Sequence, residues 1–281
     1  MTELHNDINA EAEQVAEAVA FADAVIADAE RANEASAVPG ASHDVPAASA
    51  EAVIACAKRG KVPVAVFDFD GTSMRGNSPV LLVRELIFSL MISPIVALRI
   101  GFWALAYKMR LPQNEAWVRG EVFKAFCGKK VEDVDNYLRN FYDNVVAQRV
   151  RPQMVDIMRE YSEAGIIVLV ISASFEPIIL RAGEFLPFDG QVSTRMKVAA
   201  DGTYTREVDG LPIEGDAKPD AIRRWCDANI GAGQWEVLYA YGDHHSDTPM
   251  LEMATVDAFA VDPDHALARV AKSRGWTVLE Y

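Results

Sequence analysis

Two aspartates, Asp68 and Asp70, stand one residue apart where the apolar run VAVFDFDGTS ends, followed by a glycine and two hydroxyl residues. A carboxylate can attack phosphorus and form an aspartyl-phosphate. A phosphoryl group repels an anionic nucleophile unless cations intervene, and a divalent ion or a lysine supplies them. Asp68 is read as the nucleophile. Side chains at i and i+2 of a strand share a side, so Asp70 can flank the same phosphorus and handle protons, first for the leaving oxygen and then for the attacking water. Gly71 and Thr72 turn the chain so that backbone N–H groups can face phosphate oxygens.

Further polar residues fall at strand ends or helix starts: Ser172, Lys218, Asp243 and Asp247. Ser172 is read as a donor to phosphate, Lys218 as the ammonium and Asp243 as a Mg²⁺ ligand. Asp247 is placed to orient Lys218 or a metal-bound water. His244 and His245 are adjacent in a loop, where neighbouring side chains diverge, and are read as a solvated pair. DFDGT begins like a calcium-binding loop. It has no acid at the fifth position and no Glu at the twelfth, which disfavours calcium.

The elements that must position these residues follow from periodicity. PVAVFDF, Ile166–Ile171, the run from Val237, Asp257–Val261 and Trp276–Leu279 read as strands. Between them Pro152–Ala164, Glu176–Leu186, Lys218–Asn229 and His265–Ser273 read as helices. VSTRMKVAADGTYTREV reads as a hairpin turning at Asp201-Gly202. The alternation predicts an α/β protein with a doubly wound parallel sheet, whose ligands bind beyond the carboxyl ends of the strands. Residues 77–150 carry only helical patterns and form a cap inserted after the first strand. The predicted division is an acidic, Ala-rich helical extension and linker over 1–60, a core over 61–76 and 151–281, and a cap over 77–150.

The net charge of −14 argues against a nucleic-acid partner. Residues 1–59 hold eleven acidic and three basic side chains, −8 of that total. Three scattered cysteines, Cys56, Cys127 and Cys226, fit a reducing cytoplasm, and the acidic N-terminus does not read as a secretory signal. Leu86–Tyr107 is nearly all apolar, but Pro94 and Arg99 interrupt it. It reads as two short cap helices whose apolar face packs within the cap, covers an acyl chain, touches a membrane surface or forms a homodimer contact.

DFDGT, VLVISAS through Ser172, Lys218 within EGDAKPDAI, and GDHHSD from Gly242 to Asp247 resemble, in order, the four motifs of the haloacid dehalogenase (HAD) superfamily. The helical insertion resembles the cap of its phosphoserine-phosphatase-like subclass IB. The resemblance covers about residues 62–281. It implies a Rossmann-like core, Mg²⁺ and an aspartyl-phosphate, with the Asp70 main-chain carbonyl as a further metal contact and Ala173 beside Ser172 in the phosphate-binding set. The second aspartate, absent from the dehalogenases, favours phosphate chemistry. Asn77 falls where phosphoserine phosphatases carry an acid that reads the substrate amino group, so free phosphoserine is disfavoured. Arg75, Arg99 and Arg110 are the cations expected to meet substrate. The expected activity is hydrolysis of a small-molecule or lipid-head-group phosphate. The alternatives are a phosphotransferase using the same intermediate and a membrane-peripheral module with an inactive site.

Overall fold

A computed structural model describes residues 48–89, 91 and 122–281 of the chain. The first 47 residues of the predicted helical extension and linker, Arg99, Arg110 and most of the apolar stretch 86–107 lie outside the described residues. Among the described residues no helix is long and apolar enough to cross a membrane.

Contacts divide the chain into two units. The larger holds the described part of Asn33–Asn77 together with Leu138–Arg195 and Gly210–Tyr281. It opens with α1 (Ala50–Lys58), capped by the Ser49 hydroxyl on the Ala52 N–H. The sheet strands are β1 (Val62–Asp68), β2 (Ile167–Phe175), β3 (Gly190–Thr194), β6 (Trp235–Gly242), β7 (Asp257–Val261) and β8 (Thr277–Leu279). All neighbours pair parallel in the order β3-β2-β1-β6-β7-β8. The order reverses at β1, so the crevice for a ligand falls at the carboxyl ends of β1 and β6. Asp68 ends the first, and Asp243 directly follows the second.

Both faces of the sheet are buried, which is why its strands read as near-continuous apolar runs. One face packs Val64, Val66, Leu169, Ile171, Ala240 and Ala260 against Ile222, Leu251 and Leu267. On the other, Tyr241 stacks between Phe67 and Phe259, with ring centroids 4.4 Å away on each side. Stacks of this kind contribute about 0.5–1.5 kcal/mol each beyond area burial. The Tyr161 and Tyr241 hydroxyls satisfy each other at 2.6 Å. Helices α4 (Pro152–Glu163), α5 (Glu176–Ala182), α6 (Ala217–Asn229), α7 (Thr248–Leu251) and α8 (His265–Arg274) follow the strands in alternation.

The second unit takes in the described part of Ser78–Tyr137 together with Met196–Asp209. It holds α2 (Ser78–Phe88), most of α3 (Val131–Phe141) and the hairpin β4 (Met196–Val198) and β5 (Tyr204–Val208).

Three sequence expectations change here. The run VSTRMKVAADGTYTREV is two structures: its first residues belong to β3 of the main sheet, and the hairpin starts only at Met196. The hairpin does not belong with the core. Its strand β5 joins residues 128–131 through the Gly128 N–H to the Tyr204 carbonyl and the Tyr204 N–H to the Lys129 carbonyl, both 2.9 Å. The Tyr204 hydroxyl also reaches Asp135 at 2.7 Å. Residues 50–60, assigned to the N-terminal extension and linker, instead belong to the core unit. Cys56 is fully buried, the Ser49 N–H meets the Tyr239 hydroxyl at 2.9 Å, and Arg59 pairs with Glu236 at 2.8 Å.

Candidate active site

Asp68 is the last residue of β1 and is buried. Beyond it the chain turns sharply. The Ser73 and Met74 N–H groups both donate to the Phe69 carbonyl, and the Ser73 hydroxyl donates to the Asp68 carbonyl at 2.6 Å. Gly71 sits at φ +79°, a left-handed conformation that glycine adopts without penalty. Its N–H donates to the Gly76 carbonyl at 2.8 Å. That bond replaces the phosphate-facing donor expected of Gly71 and leaves the glycine a conformational part. The Thr72 hydroxyl donates to Oδ1 of Asp243 at 3.0 Å.

Lys218, near the start of α6, is buried with its Nζ 2.5 Å from Oδ1 of Asp68 and 2.5 Å from Oδ1 of Asp247. Burial opposes its charge. The Asp247 and Asp68 carboxylates outweigh that cost and raise its pKa above the ordinary lysine value. The other oxygen of Asp247 accepts the His244 N–H at 3.3 Å. Asp247 therefore holds the lysine with one oxygen and caps the turn after β6 with the other.

The carboxylates crowd one another. Burial is the main force on Asp68; Lys218 pulls its pKa down while Asp247 and Asp70 push it up, and it reaches about 7. Asp243 is driven well above the carboxylate range by burial, then by Asp68 and Asp247. One oxygen from each of Asp68, Asp243 and Asp247 lies within 4.8 Å of the others. Two buried carboxylates and the half-buried Asp243 against one ammonium leave unbalanced negative charge on an all-oxygen donor set. That set fits a hard divalent cation such as Mg²⁺. Asp68 and Asp243 would hold it, since both oxygens of Asp247 are engaged, one by Lys218 and the other by the His244 N–H.

Ser172 lies within β2 rather than ending it, one step past the Asp68–Ile171 register position. It is fully buried, and its Oγ accepts the Ser174 N–H at 3.0 Å. Ala173 lies between these serines. The Ser174 hydroxyl donates to Oδ2 of Asp70. The sequence reading missed Ser174, although the two-residue strand repeat from Ser172 was the available signal. It also missed Arg151. This buried guanidinium pairs with Asp262 at 2.6 Å and donates to the Gly71 carbonyl at 3.2 Å. No local pattern marks it. Arg75 and Asn77, expected to meet substrate, are exposed residues of the loop after Gly71.

A fold of this kind, with acidic side chains gathered at the switch point of a parallel sheet, is that of a Rossmann-like α/β protein. The family model for haloacid dehalogenase-like hydrolases matches residues 65–252, and the chain belongs to that family. It is 28% identical over 222 residues to the inhibition of morphological differentiation protein of Streptomyces azureus, covering 77% of this chain and 78% of that one. A histidinol-phosphatase of Neisseria meningitidis is 26% identical over 151 residues, 53% of this chain and 68% of its own. Among solved structures, a Bordetella pertussis protein of unknown function superposes with a TM-score of 0.68 at 22% identity, over 78% of this chain and 98% of that one. A substrate-bound phosphoserine phosphatase superposes with a TM-score of 0.55 at 18% identity, over 79% and 94%. These structures share the fold.

Proposed function

We propose that this hydrolase is a phosphomonoesterase that works through an aspartyl-phosphate on Asp68. The observation that carries the reading is the buried Lys218 ammonium, 2.5 Å from Asp68 and fixed from behind by Asp247. A phosphate monoester entering beside Asp68 meets a cation already in place, at no reorganisation cost. An Asp68 carboxylate oxygen attacks phosphorus, and the bond from phosphorus to the ester oxygen breaks. Asp70, held by the Ser174 hydroxyl, gives that oxygen a proton. Asp70 then takes a proton from the water that attacks the phosphorylated aspartate. Inorganic phosphate leaves and Asp68 is restored. Ser172 and the Thr72 turn supply donors to the non-reacting phosphate oxygens. Asp68 and Asp243 would hold a Mg²⁺ ion, which would supply the charge neutralisation that lets Asp68 stay ionised beside a dianionic substrate.

The substrate class is a phosphorylated small molecule. Relatives named for histidinol phosphate and for phosphoserine both match this chain, so we assign substrate choice to the insertion between β1 and β2 rather than to the carboxylate cluster. The test is release of free phosphate from a panel of metabolite and lipid-head-group phosphomonoesters with Mg²⁺, for the wild type and Asp68→Asn. Turnover by the wild type and none by a folded Asp68→Asn supports the reading. A fully active Asp68→Asn protein refutes it.

A further inference from the structure

The histidines read as a solvated pair converge instead. Their rings lie 4.2 Å apart, and both turn toward one carboxylate of a different loop, Asp264. Oδ2 of Asp264 is 3.1 Å from Nδ1 of His245 and 3.5 Å from Nε2 of His244. The Nδ1 of His244 is engaged by the Ser246 hydroxyl at 2.9 Å, which turns its Nε2 toward Asp264. The other oxygen of Asp264 is committed to the Leu267 N–H at 2.6 Å as the cap of α8, which fixes the carboxylate's orientation. The Asp264 N–H donates to the Asp243 carbonyl at 2.9 Å, locking the two loops together.

We infer that His244, His245 and Asp264 form a second metal site, distinct from the carboxylate cluster and selective for a borderline transition-metal ion such as Zn²⁺. One ligand atom from each residue lies within 4.8 Å of the others. Two ligands about 2.0–2.1 Å from a tetrahedral ion are about 3.3 Å apart, close to the observed 3.1 and 3.5 Å. Two imidazoles and one carboxylate suit zinc, cobalt or nickel, whereas Mg²⁺ takes oxygen ligands and keeps its water. The three residues are half-buried to exposed, with side-chain exposures of 35%, 58% and 32% for His244, His245 and Asp264, so an ion can enter and water can complete its shell. The capped Asp264 and the Ser246 contact are the kind of supporting hydrogen bonds that orient ligands before the ion arrives. The site does not depend on the reaction proposed for Asp68.

The test is calorimetric titration of the full chain with Zn²⁺, Mg²⁺ being present in large excess, for the wild type and His245→Ala. Histidine ring NMR is followed in parallel. The wild type is expected to bind one more equivalent of Zn²⁺ than His245→Ala, or to bind it about tenfold or more tightly. The resonances of both His244 and His245 should move with Zn²⁺ and stay put with Mg²⁺. His245→Ala is expected to keep its Mg²⁺-dependent activity, which shows that the variant is folded. Identical zinc stoichiometry and affinity in the two proteins, or unmoved histidine resonances, would overturn the inference.

Discussion

Gly71 and Asp243 are packed so closely that a Cβ at Gly71 would lie 2.0 Å from Oδ2 of Asp243. The Asp243 carboxylate thus occupies the space where any other residue would carry a side chain. Gly71→Ala has two costs: about 1–2 kcal/mol for a left-handed alanine, and displacement of Asp243. The expected outcome is a lower melting temperature together with a rise of tenfold or more in the Mg²⁺ concentration needed for half-activation, read from a metal titration of phosphate release. An alanine variant with unchanged Mg²⁺ dependence would contradict this account of the turn.

Lys218 neutralises two buried carboxylates. Lys218→Met removes the ammonium and leaves Asp68 and Asp247 uncompensated, a change that costs about 3–5 kcal/mol where a buried pair loses one partner. Urea denaturation should show this loss, and phosphate release should fall at least a hundredfold. Lys218→Arg should not restore activity, because a planar guanidinium does not fit where a point charge bridges two oxygens at 2.5 Å.

Metal and pH act on stability through the same cluster. Asp68 and Asp243 are raised in the folded state, so the metal-free folded chain binds more protons than the unfolded one. Their contribution is fully present below the ordinary carboxylate range and is lost as pH rises toward about 7, where Asp68 ionises. Metal-free protein should therefore melt at lower temperature at pH 7 than at pH 5, as far as these groups are concerned. Mg²⁺ favours the ionised carboxylates and should raise the pH 7 melting temperature more than the pH 5 value. Calorimetric scans with and without chelator measure the difference; equal shifts at both pH values would mean that the carboxylates do not hold the ion.

Ser174 restrains Asp70 through one hydroxyl. Ser174→Ala removes a hydrogen bond to a carboxylate, worth about 1.5–3 kcal/mol. We expect kcat to fall about tenfold or more with little change in KM, and the alkaline limb of the pH–rate profile, set by the acid that protonates the leaving oxygen, to shift upward as the carboxyl loses its donor. An unchanged pH profile would show that Asp70 does not carry the proton.

Arg151 links α4 to the turn that carries Gly71. Arg151→Gln leaves Asp262 unpaired and the Gly71 carbonyl without this donor. A loss of about 3–5 kcal/mol in stability is expected, measured by urea titration. Activity per folded molecule should fall as well, because the turn loses an anchor.

The chain reveals the elements that carry the candidate site where physics is local. VAVFD and VLYAYGD are buried on both faces, so their composition alone marks them as central strands. A polar residue at the end of such a strand must then project from the carboxyl edge of the sheet. Asp68, Asp243 and the alternation of strands and helices were legible on that ground. Ser174 meeting Asp70 spans 104 positions, and Arg151 meeting Gly71 spans 80. Neither contact leaves a periodic trace, because each depends on how whole elements pack. The same holds for β3, a half-polar run recognised as sheet only by its pairing with β2, and for the hairpin, whose two-residue alternation is local but whose attachment to residues 128–131 is not. His244 and His245 sit side by side in the sequence and were read as diverging; only the arrival of Asp264 from the loop after β7 gives both rings a common partner. Residue type and spacing thus determined which groups stand at the strand ends. Which of them share a proton, a cation or a buried charge was decided by the tertiary fold, because those interactions act through space over a few ångströms and take no account of distance along the chain.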